Sequence, residues 1–269
     1  MAKIITISNQ KGGVGKTTTS VNLAASLGAL EKRILLVDLD PQGNASSGVG
    51  VHLEPDGLQI YHALLGEKTM KEVMVETQVP FVTLAPSSGD LIGFEIEGIE
   101  LEDREQCLKK ALATVSDQFD YIIIDCPPSL GLLTVNSLTA ADHVIVPLQS
   151  EYYALEGLSR LLQTIELIQQ SVNPNLTLEG IVLTMFDSRN SLSHQVANEV
   201  KQHFPEKLWK TKIPRNVRLS EAPSFGKPVL LYDVRSTGAT SYLNLAREFL
   251  DHFDRKQKTI SNNVVTENV

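Results

Sequence analysis

The chain has 269 residues, of which 42% are hydrophobic and 21% charged, and its formal net charge is −8 at pH 7. This composition is typical of a globular protein and excludes disordered and collagen-like chains. No apolar run approaches the ~20 residues that a membrane-spanning helix requires, and the first run, residues 4–7, is too short for a signal peptide. Two cysteines, Cys107 and Cys126, are too few for a disulfide framework. We therefore expect a soluble protein of the reducing cytoplasm.

Short apolar runs rich in β-branched residues recur along the chain and predict strands. The predicted strands are residues 3–8, 33–38, 81–85, 121–125, 143–148, 180–185 and 229–232. Most of them do not alternate with polar residues, which is typical of parallel strands that helices cover on both sides. Longer amphipathic stretches between them predict helices at residues 17–30, 104–116, 153–171, 191–203 and 239–253.

These elements predict an α/β fold, a doubly wound and mostly parallel sheet with helices on both faces. No internal repeat or linker divides the chain, so we assign residues 1–255 to a single domain. Residues 256–269 are polar and predict a flexible tail. The segment 46–98 has many turn signals and acidic residues, so its helices are hard to place, and a surface excursion is one alternative.

The strongest motif follows the first predicted strand and precedes the first predicted helix. It consists of Lys11, Gly12, Gly13, Val14, Gly15, Lys16, Thr17 and Thr18. Glycines allow successive backbone N–H groups to surround an anion, the helix N-terminus adds positive charge, and Lys16 reaches the terminal phosphates. The hydroxyl of Thr17 can complete the coordination of Mg²⁺. Gln10 replaces the first glycine of the standard P-loop pattern, and Lys11 marks the deviant Walker A subclass of P-loop ATPases.

Carboxylates end two of the predicted strands. Ligands of open α/β sheets bind beyond the carboxyl ends of the strands, so Asp38, Asp40 and Asp125 should face the phosphates. Asp125 is the candidate Walker B acid that holds Mg²⁺ through water. Asp40 is the candidate that orients the attacking water. Asp38 either supports the loop geometry or belongs to the second coordination sphere of the metal.

With these motifs the chain resembles the ParA/Soj family of chromosome and plasmid partition ATPases over nearly its whole length. Besides residues 11–18, the resemblance rests on residues 38–44, 125–131, 146–149, 183–189 and 213–224. It implies ATP and Mg²⁺ as ligands, slow ATP hydrolysis, and a ParB-type centromere-binding protein that stimulates hydrolysis. The cargo, chromosome or plasmid, stays open.

The resemblance also implies a homodimer that encloses two ATP molecules. Lys11 would then be catalytic across the interface by reaching the partner's nucleotide, and Gly12 would lie where the two loops meet. Adenine would lie near Met185 and the segment Pro214, Arg215 and Asn216.

A local excess of basic residues stands out against the acidic average. Residues 199–218 contain six basic and two acidic residues. Family resemblance favours non-specific binding of double-stranded DNA by the ATP dimer, hence a nucleoid-associated location. The candidate contacts are Arg189, Lys201, Arg215 and Arg218. Because the P-loop begins at Lys11, we expect no operator-binding domain ahead of it.

The alternative is a MinD-like membrane-associated ATPase that positions the division site. Such a protein needs a basic amphipathic helix at its C-terminus. Residues 259–269 contain no lysine and little helical pattern, so we expect no membrane partner. A P-loop kinase or ligase that acts on a small metabolite also shares the loop, although no substrate motif is recognisable.

Overall fold

The computed structural model describes the backbone of residues 1–151 and 154–266 and the side chains of residues 1–151 and 154–254. Its strands are β1 (Lys3–Ile7), β2 (Ile34–Asp38), β3 (Val75–Glu76), β4 (Val82–Ala85), β5 (Tyr121–Asp125), β6 (His143–Gln149) and β7 (Thr177–Thr184). They form one sheet in the order β3-β4-β2-β5-β1-β6-β7. Every pairing is parallel except that of β3 with β4. The predicted mostly parallel sheet is confirmed.

Helices connect the strands. Those before β5 are α1 (Lys16–Ala29), α2 (Asn44–Gly48), α3 (Ile60–Leu64), α4 (Met70–Val73), α5 (Leu91–Glu97) and α6 (Cys107–Ala113). Those after it are α7 (Leu132–Ala140), α8 (Ala154–Ser171), α9 (Ser191–His203), α10 (Val217–Glu221), α11 (Val229–Tyr232) and α12 (Thr237–Thr266). Short 3₁₀ helices lie at Gly98–Glu100, Arg104–Gln106 and Ala222–Phe225. None of the helices in the described part of the chain is both long and apolar enough to span a membrane.

Strand β2 illustrates why the sheet is covered on both faces. Ile34 and Leu36 pack into a core with residues of α1 and α12, whereas Leu35 and Val37 point into a second core with α5 and α6. All five β2 residues are buried. Continuous apolar runs are thus explained by two cores, one on each side, and the doubly wound fold is confirmed.

The last predicted strand, 229–232, is wrong, because these residues form helix α11. Pro228 lies at the N-cap with φ −58° and ψ 152°, ahead of the helix interior, where a proline would break the helix. The N–H of Val229 donates to Asn22 Oδ1 of α1 at 2.7 Å. Four apolar residues do not distinguish a short strand from a short helix, and here the contact with α1 decides.

The structure excludes the alternative that residues 46–98 form a surface excursion, because the segment packs into the core. Its strand β4 pairs with β2, and Ile60, Leu64 and Phe94 are buried in the core beneath α6 and α7. The segment therefore supplies one wall of the fold. Its helices of four to seven residues are too short for a clear periodic pattern.

Helix α12 buries the predicted stripe of Tyr242, Leu245, Phe249 and Phe253 against the sheet. Its backbone continues to Thr266, where the sequence predicts a flexible tail over 256–269. Extending an existing helix fixes one residue per hydrogen bond, which costs less than starting one, so a weak sequence pattern can follow a packed helix. The single-domain assignment of 1–255 stays a prediction. The predicted helix start at Tyr153 lies outside the described residues.

Candidate nucleotide-binding site

The loop between β1 and α1 has the backbone of an anion cradle. Gly13 and Gly15 have φ angles of 74° and 89°, which a residue with a Cβ rarely adopts. Gly15 caps α1, and the first turn of that helix carries no acidic residue. No acidic residue of α1 itself therefore competes with an anion for the N–H groups and positive dipole at the helix N-terminus.

The two lysines of the loop have different environments. Lys16 is 6% exposed, and its Nζ donates to the carbonyl oxygen of Lys11 at 3.2 Å. Burial lowers the pKa of the Lys16 ammonium, while the charge of Asp125 acts in the opposite direction. Lys11 is half-buried, and its Nζ lies 2.6 Å from Glu151 Oε2. Thus Lys16 lies inside the cradle and Lys11 beside it.

Residues that the sequence analysis missed hold the loop in place. Asn9 is 2% exposed, accepts the N–H of Lys11 at 3.0 Å and donates to the carbonyl of Pro147 at 2.8 Å. From the end of β7, Thr184 Oγ1 donates to the carbonyl of Val14 at 2.8 Å. The adjacent strands β6 and β7 thereby support the loop. In the sequence, the role of Asn9 is indicated only by its being a polar residue directly ahead of the glycine-rich motif.

The donor set around Asp125 fits a hard cation. Ser20 Oγ donates to Asp125 Oδ1 at 2.7 Å, and the Thr17 side chain lies near this carboxyl and lowers its pKa. Asp125 Oδ2 is buried and has no hydrogen-bond partner among the described residues. A buried carboxylate oxygen without a partner is costly unless a cation or water reaches it. Oxygen ligands from Thr17 and Asp125 are those that Mg²⁺ prefers.

Asp38 and Asp125 lie at paired positions of neighbouring strands β2 and β5. Burial raises the pKa of both carboxyls, and the charge of Asp38 raises the pKa of Asp125 further. Asp38 Oδ2 accepts the N–H and the hydroxyl of Ser46 at 2.8 and 2.7 Å, and Oδ1 accepts the N–H of Asp40 at 3.2 Å. These bonds favour a role in loop geometry over one in the metal's coordination sphere.

Asp40 is 8% exposed at the start of the loop after β2. Its Oδ1 accepts the N–H of Gln42 at 3.0 Å, and its carbonyl accepts the Ser87 hydroxyl at 2.8 Å. The charge of Asp40 also acts on Lys16, so the two side chains share one electrostatic environment. Asp40 is therefore close to the cradle and fixed by its own loop.

A cavity of about 490 Å³ opens beside the cradle, within the range of small-ligand sites. It brings together the predicted adenine residues Met185, Pro214, Arg215 and Asn216 with Gly15 and Thr18 of the loop. Residues not predicted also line it, among them Thr184, Ile213 and Tyr242. Met185 has a positive φ of 49°, a strained conformation that places it at the end of β7 facing this cavity.

The four predicted DNA contacts are all exposed, but two of them are ion-paired within the chain. Arg189 contacts Asp187 at 2.9 Å, and Arg218 contacts Glu221 at 2.7 Å and Asp233 at 3.3 Å. Lys201 lies in the last turn of α9 and Arg215 at the nucleotide-sized cavity. The structure thus spreads these side chains over α9, α10 and the loops that precede these two helices.

Comparison with known proteins places the chain in a family. The profile of the AAA domain family matches residues 2–178. The chromosome partitioning protein ParA of Myxococcus xanthus is 54% identical over 93% of this chain and 88% of its own length. The sporulation initiation inhibitor protein Soj of Bacillus subtilis is 55% identical over 92% of this chain and 98% of its own length.

A solved structure agrees in fold. The cobyrinic acid a,c-diamide synthase of Mycobacterium smegmatis, crystallised with ADP and magnesium, superposes with a TM-score of 0.83 at 38% identity. The match covers 94% of this chain and 96% of that one. The identities to the two partition proteins are higher over a similar length, and the cradle carries the lysine pair Lys11 and Lys16. The chain belongs to the ParA/Soj family of chromosome-partitioning ATPases.

Proposed function

We propose that this chain is an ATP-dependent switch for DNA partition. It binds ATP with Mg²⁺, closes with a second copy over two nucleotides, coats DNA without sequence preference, and hydrolyses ATP slowly until a ParB-type centromere-binding protein accelerates the step. Hydrolysis then releases the dimer from DNA, so that a chromosome or plasmid can be moved. The protein acts in the cytoplasm on the nucleoid.

The observation that carries this proposal is the separation of the two loop lysines. Lys16 lies inside the cradle, where it neutralises the phosphates of its own nucleotide. Lys11 is half-buried beside the loop and held only by Glu151 among the described residues, so it is free to exchange that carboxylate for a phosphate of a facing subunit. Among the residues that the structure describes, no atom lies within 4 Å of the position of a Cβ on Gly12, which leaves room for a second loop.

Binding of the nucleotide divides between two groups of residues. The cradle residues 11–18 surround the phosphates, and the cavity lined by Met185, Pro214, Arg215 and Asn216 receives the base. Thr17 and Asp125 hold Mg²⁺, with Asp125 acting through water. The cation supplies charge neutralisation at the β- and γ-phosphates. Asp125 Oδ2, which is buried and has no hydrogen-bond partner in the described part of the chain, is the atom that best supports this assignment.

Hydrolysis requires a water molecule held in line with the γ-phosphorus. Asp40 is the side chain assigned to orient it. Its carboxylate lies close enough to the cradle to influence Lys16, and its own loop bonds fix its position. The basal rate is slow if the water is well oriented only after the partner protein binds. Slow hydrolysis keeps the chain in its ATP-bound state until it meets that partner.

DNA binding is assigned to Arg189, Lys201, Arg215 and Arg218. The ion pairs of Arg189 and Arg218 do not oppose this role, because exposed pairs contribute only about 0–1 kcal/mol and exchange readily for phosphate. Dimerisation doubles the number of these cations on one particle. Since each neutralised phosphate releases counterions, the dimer should bind DNA far more tightly than the monomer.

The test is phosphate release measured with the chain alone, with non-specific DNA, with a ParB-type protein, and with both. We expect slow turnover alone and clear stimulation only when the partner is present, with Lys16→Ala inactive throughout. Turnover that neither partner nor DNA changes would contradict the switch. Phosphate release without any metabolite excludes a small-molecule synthase as the main activity, and flotation with liposomes and ATP tests the MinD-like alternative.

A further inference from the structure

Helix α5 and the 3₁₀ turn after it expose a stripe of isoleucines. Ile92, Ile96 and Ile99 are 56%, 69% and 56% exposed. Their spacing of four and three residues places them on one side of the helix. Leu91 and Phe94, on the other side, are fully buried in the core. Large apolar side chains grouped in this way on a surface are typical of a contact site for another molecule.

The stripe borders a groove that reaches the loop after Asp125. The groove has a volume of about 460 Å³, and one wall is formed by Glu95, Ile99, Arg104 and Glu105. The other wall is formed by Leu130, Gly131, Leu132 and Val135. Leu130 is 54% exposed and also lines the cleft beside Lys11. The groove therefore connects α5 with the edge of the nucleotide site.

This surface is strongly acidic. Residues 90–105 contain seven acidic residues and one basic residue, Arg104. Glu95 Oε1 is buried without a hydrogen-bond partner among the described residues. Its carboxylate lies directly against Gly131, where an added methyl group would collide with it. Glu95 lines the groove, so a cationic side chain placed there can pair with its carboxylate.

We propose that these residues, named here the α5 surface (Ile92, Glu95, Ile96, Ile99 and Leu130), bind a basic amphipathic segment of a partner protein. Apolar side chains of that segment cover the isoleucines, and a lysine or arginine pairs with Glu95. The inference rests on the proposed function, since the partner it assigns is the centromere-binding protein that stimulates hydrolysis. It adds where that protein docks and what chemistry its docking segment carries.

A second copy of this chain fits the α5 surface less well than a basic partner. A two-fold contact would bring the same acidic segment of both copies together, and like charges facing each other oppose association. A basic segment instead meets complementary charge, which also accelerates its encounter with a chain of net charge −8. Charge complementarity therefore favours a basic partner segment over a second copy of this chain at the α5 surface.

The position of the groove explains how docking could change the rate of hydrolysis. Its second wall begins five residues after Asp125, in the loop that leads into α7. Thr134 Oγ1 of α7 donates to the carbonyl of Ser129 at 2.6 Å, which ties this loop to the helix. A segment bound between α5 and Leu130 would hold the loop in one conformation, and the loop connects directly to the carboxylate assigned to Mg²⁺.

The test compares Ile96→Ser and Glu95→Gln with the wild-type chain, using a ParB-type protein as the probe. We expect each change to raise the partner concentration for half-maximal stimulation at least about tenfold, because it removes an apolar contact or a charge pair. Glu95→Gln should also weaken the dependence of partner binding on salt. Leu167→Ser is the matched control, since Leu167 is 65% exposed on α8.

The outcomes separate this inference from the proposed function. A wild-type chain that the ParB-type protein neither binds nor stimulates overturns the proposed function. A stimulated wild type with unchanged half-maximal concentrations for Ile96→Ser and Glu95→Gln overturns the α5 surface alone. ATP-dependent dimerisation is measured on the same variants by light scattering, and its loss without partner protein would assign the surface to a second copy and also overturn the inference.

Discussion

Lys11 and Glu151 form an ion pair within one subunit, with 2.6 Å between Nζ and Oε2. The proposed dimer requires Lys11 to leave this carboxylate and reach the nucleotide of the facing subunit. The pair is part-exposed, with side-chain exposures of 35% and 47%, so it is a weak restraint. Glu151 therefore competes with the partner's phosphates for the same ammonium group.

Replacing Glu151 by glutamine tests this competition. Without the carboxylate, Lys11 is released. Because each dimer breaks two part-exposed ion pairs, each worth about 0–1 kcal/mol, Glu151→Gln should strengthen ATP-dependent dimerisation by at most about thirtyfold. Light scattering at increasing ATP concentration measures the effect. Glu156→Gln is the control, because Glu156 lines the same cleft but pairs with Arg160. A weaker dimer would mean that Glu151 supports the closed state instead.

Gly12→Val should block the dimer and spare the monomer. A Cβ on Gly12 meets no atom of the described residues within 4 Å, and the φ of Gly12 is outside the left-handed region, so valine fits the isolated chain. In the proposed dimer the same side chain would separate the two loops. We expect ATP affinity within about threefold of wild type, measured with a fluorescent analogue, and no dimer in light scattering.

Gly89→Val is the matched control for Gly12→Val, since Gly89 is equally unobstructed. ATP-dependent dimers of Gly12→Val would contradict the assigned position of the loop at the interface.

Asp40→Ala should separate ATP binding from hydrolysis. Loss of the group that orients water lowers turnover by about 100-fold or more, whereas the cradle and the cavity keep their residues. The variant should accumulate as an ATP dimer on DNA. Phosphate release and sedimentation with DNA measure the two effects. Rapid turnover by Asp40→Ala would assign the water to another side chain.

The free energy of unfolding of the nucleotide-free chain should decrease as pH rises, because two buried carboxyl groups titrate at higher pH in the folded chain than in the unfolded chain. Burial raises the pKa of Asp38 to about 6 and that of Asp125 to about 7. Above the unfolded value of about 4, the folded chain then binds more protons than the unfolded chain, so the free energy of unfolding decreases with pH until both groups are ionised. Thermal melts between about pH 5 and about pH 8 measure this decrease.

Asp38→Asn is the variant that isolates this dependence. It removes one titrating group and the negative charge that raises the pKa of Asp125, so its melting temperature should change less with pH than that of the wild type. Asp117→Asn, at an exposed position, should keep the wild-type dependence. Equal slopes for Asp38→Asn and wild type would locate the titration elsewhere.

Arg218→Glu should weaken DNA binding by the ATP dimer. One phosphate contact is lost in each subunit. A plot of log affinity against log salt concentration for the dimer should therefore become less steep, its slope shrinking in magnitude by about two. Affinity should fall equally for unrelated sequences. Fluorescence anisotropy with ATP measures both, and Arg247→Glu is the charge-matched control on α12. Unchanged DNA binding by Arg218→Glu would remove this residue from the interface.

The phosphate cradle could be predicted from the sequence because its chemistry is local. Residues 11–18 are consecutive, and glycines, lysine and hydroxyl act through their own backbone and the helix that follows. The parallel sheet could be predicted for a similar reason, since apolar runs such as residues 121–125 require burial on both faces.

Tertiary structure decided the features that join distant parts of the chain. Lys11 and Glu151 are 140 residues apart and meet only because β1 and β6 are neighbours in the sheet. Within the described residues, one carboxylate oxygen each of Asp125 and Glu95 is buried without a hydrogen-bond partner, and residues 229–232 form a helix where a strand is predicted. Both features likewise depend on what packs around these residues. Sequence patterns record the preference of each segment for burial and backbone conformation. They do not record which segments become neighbours, because that depends on the free energy of the whole packed chain.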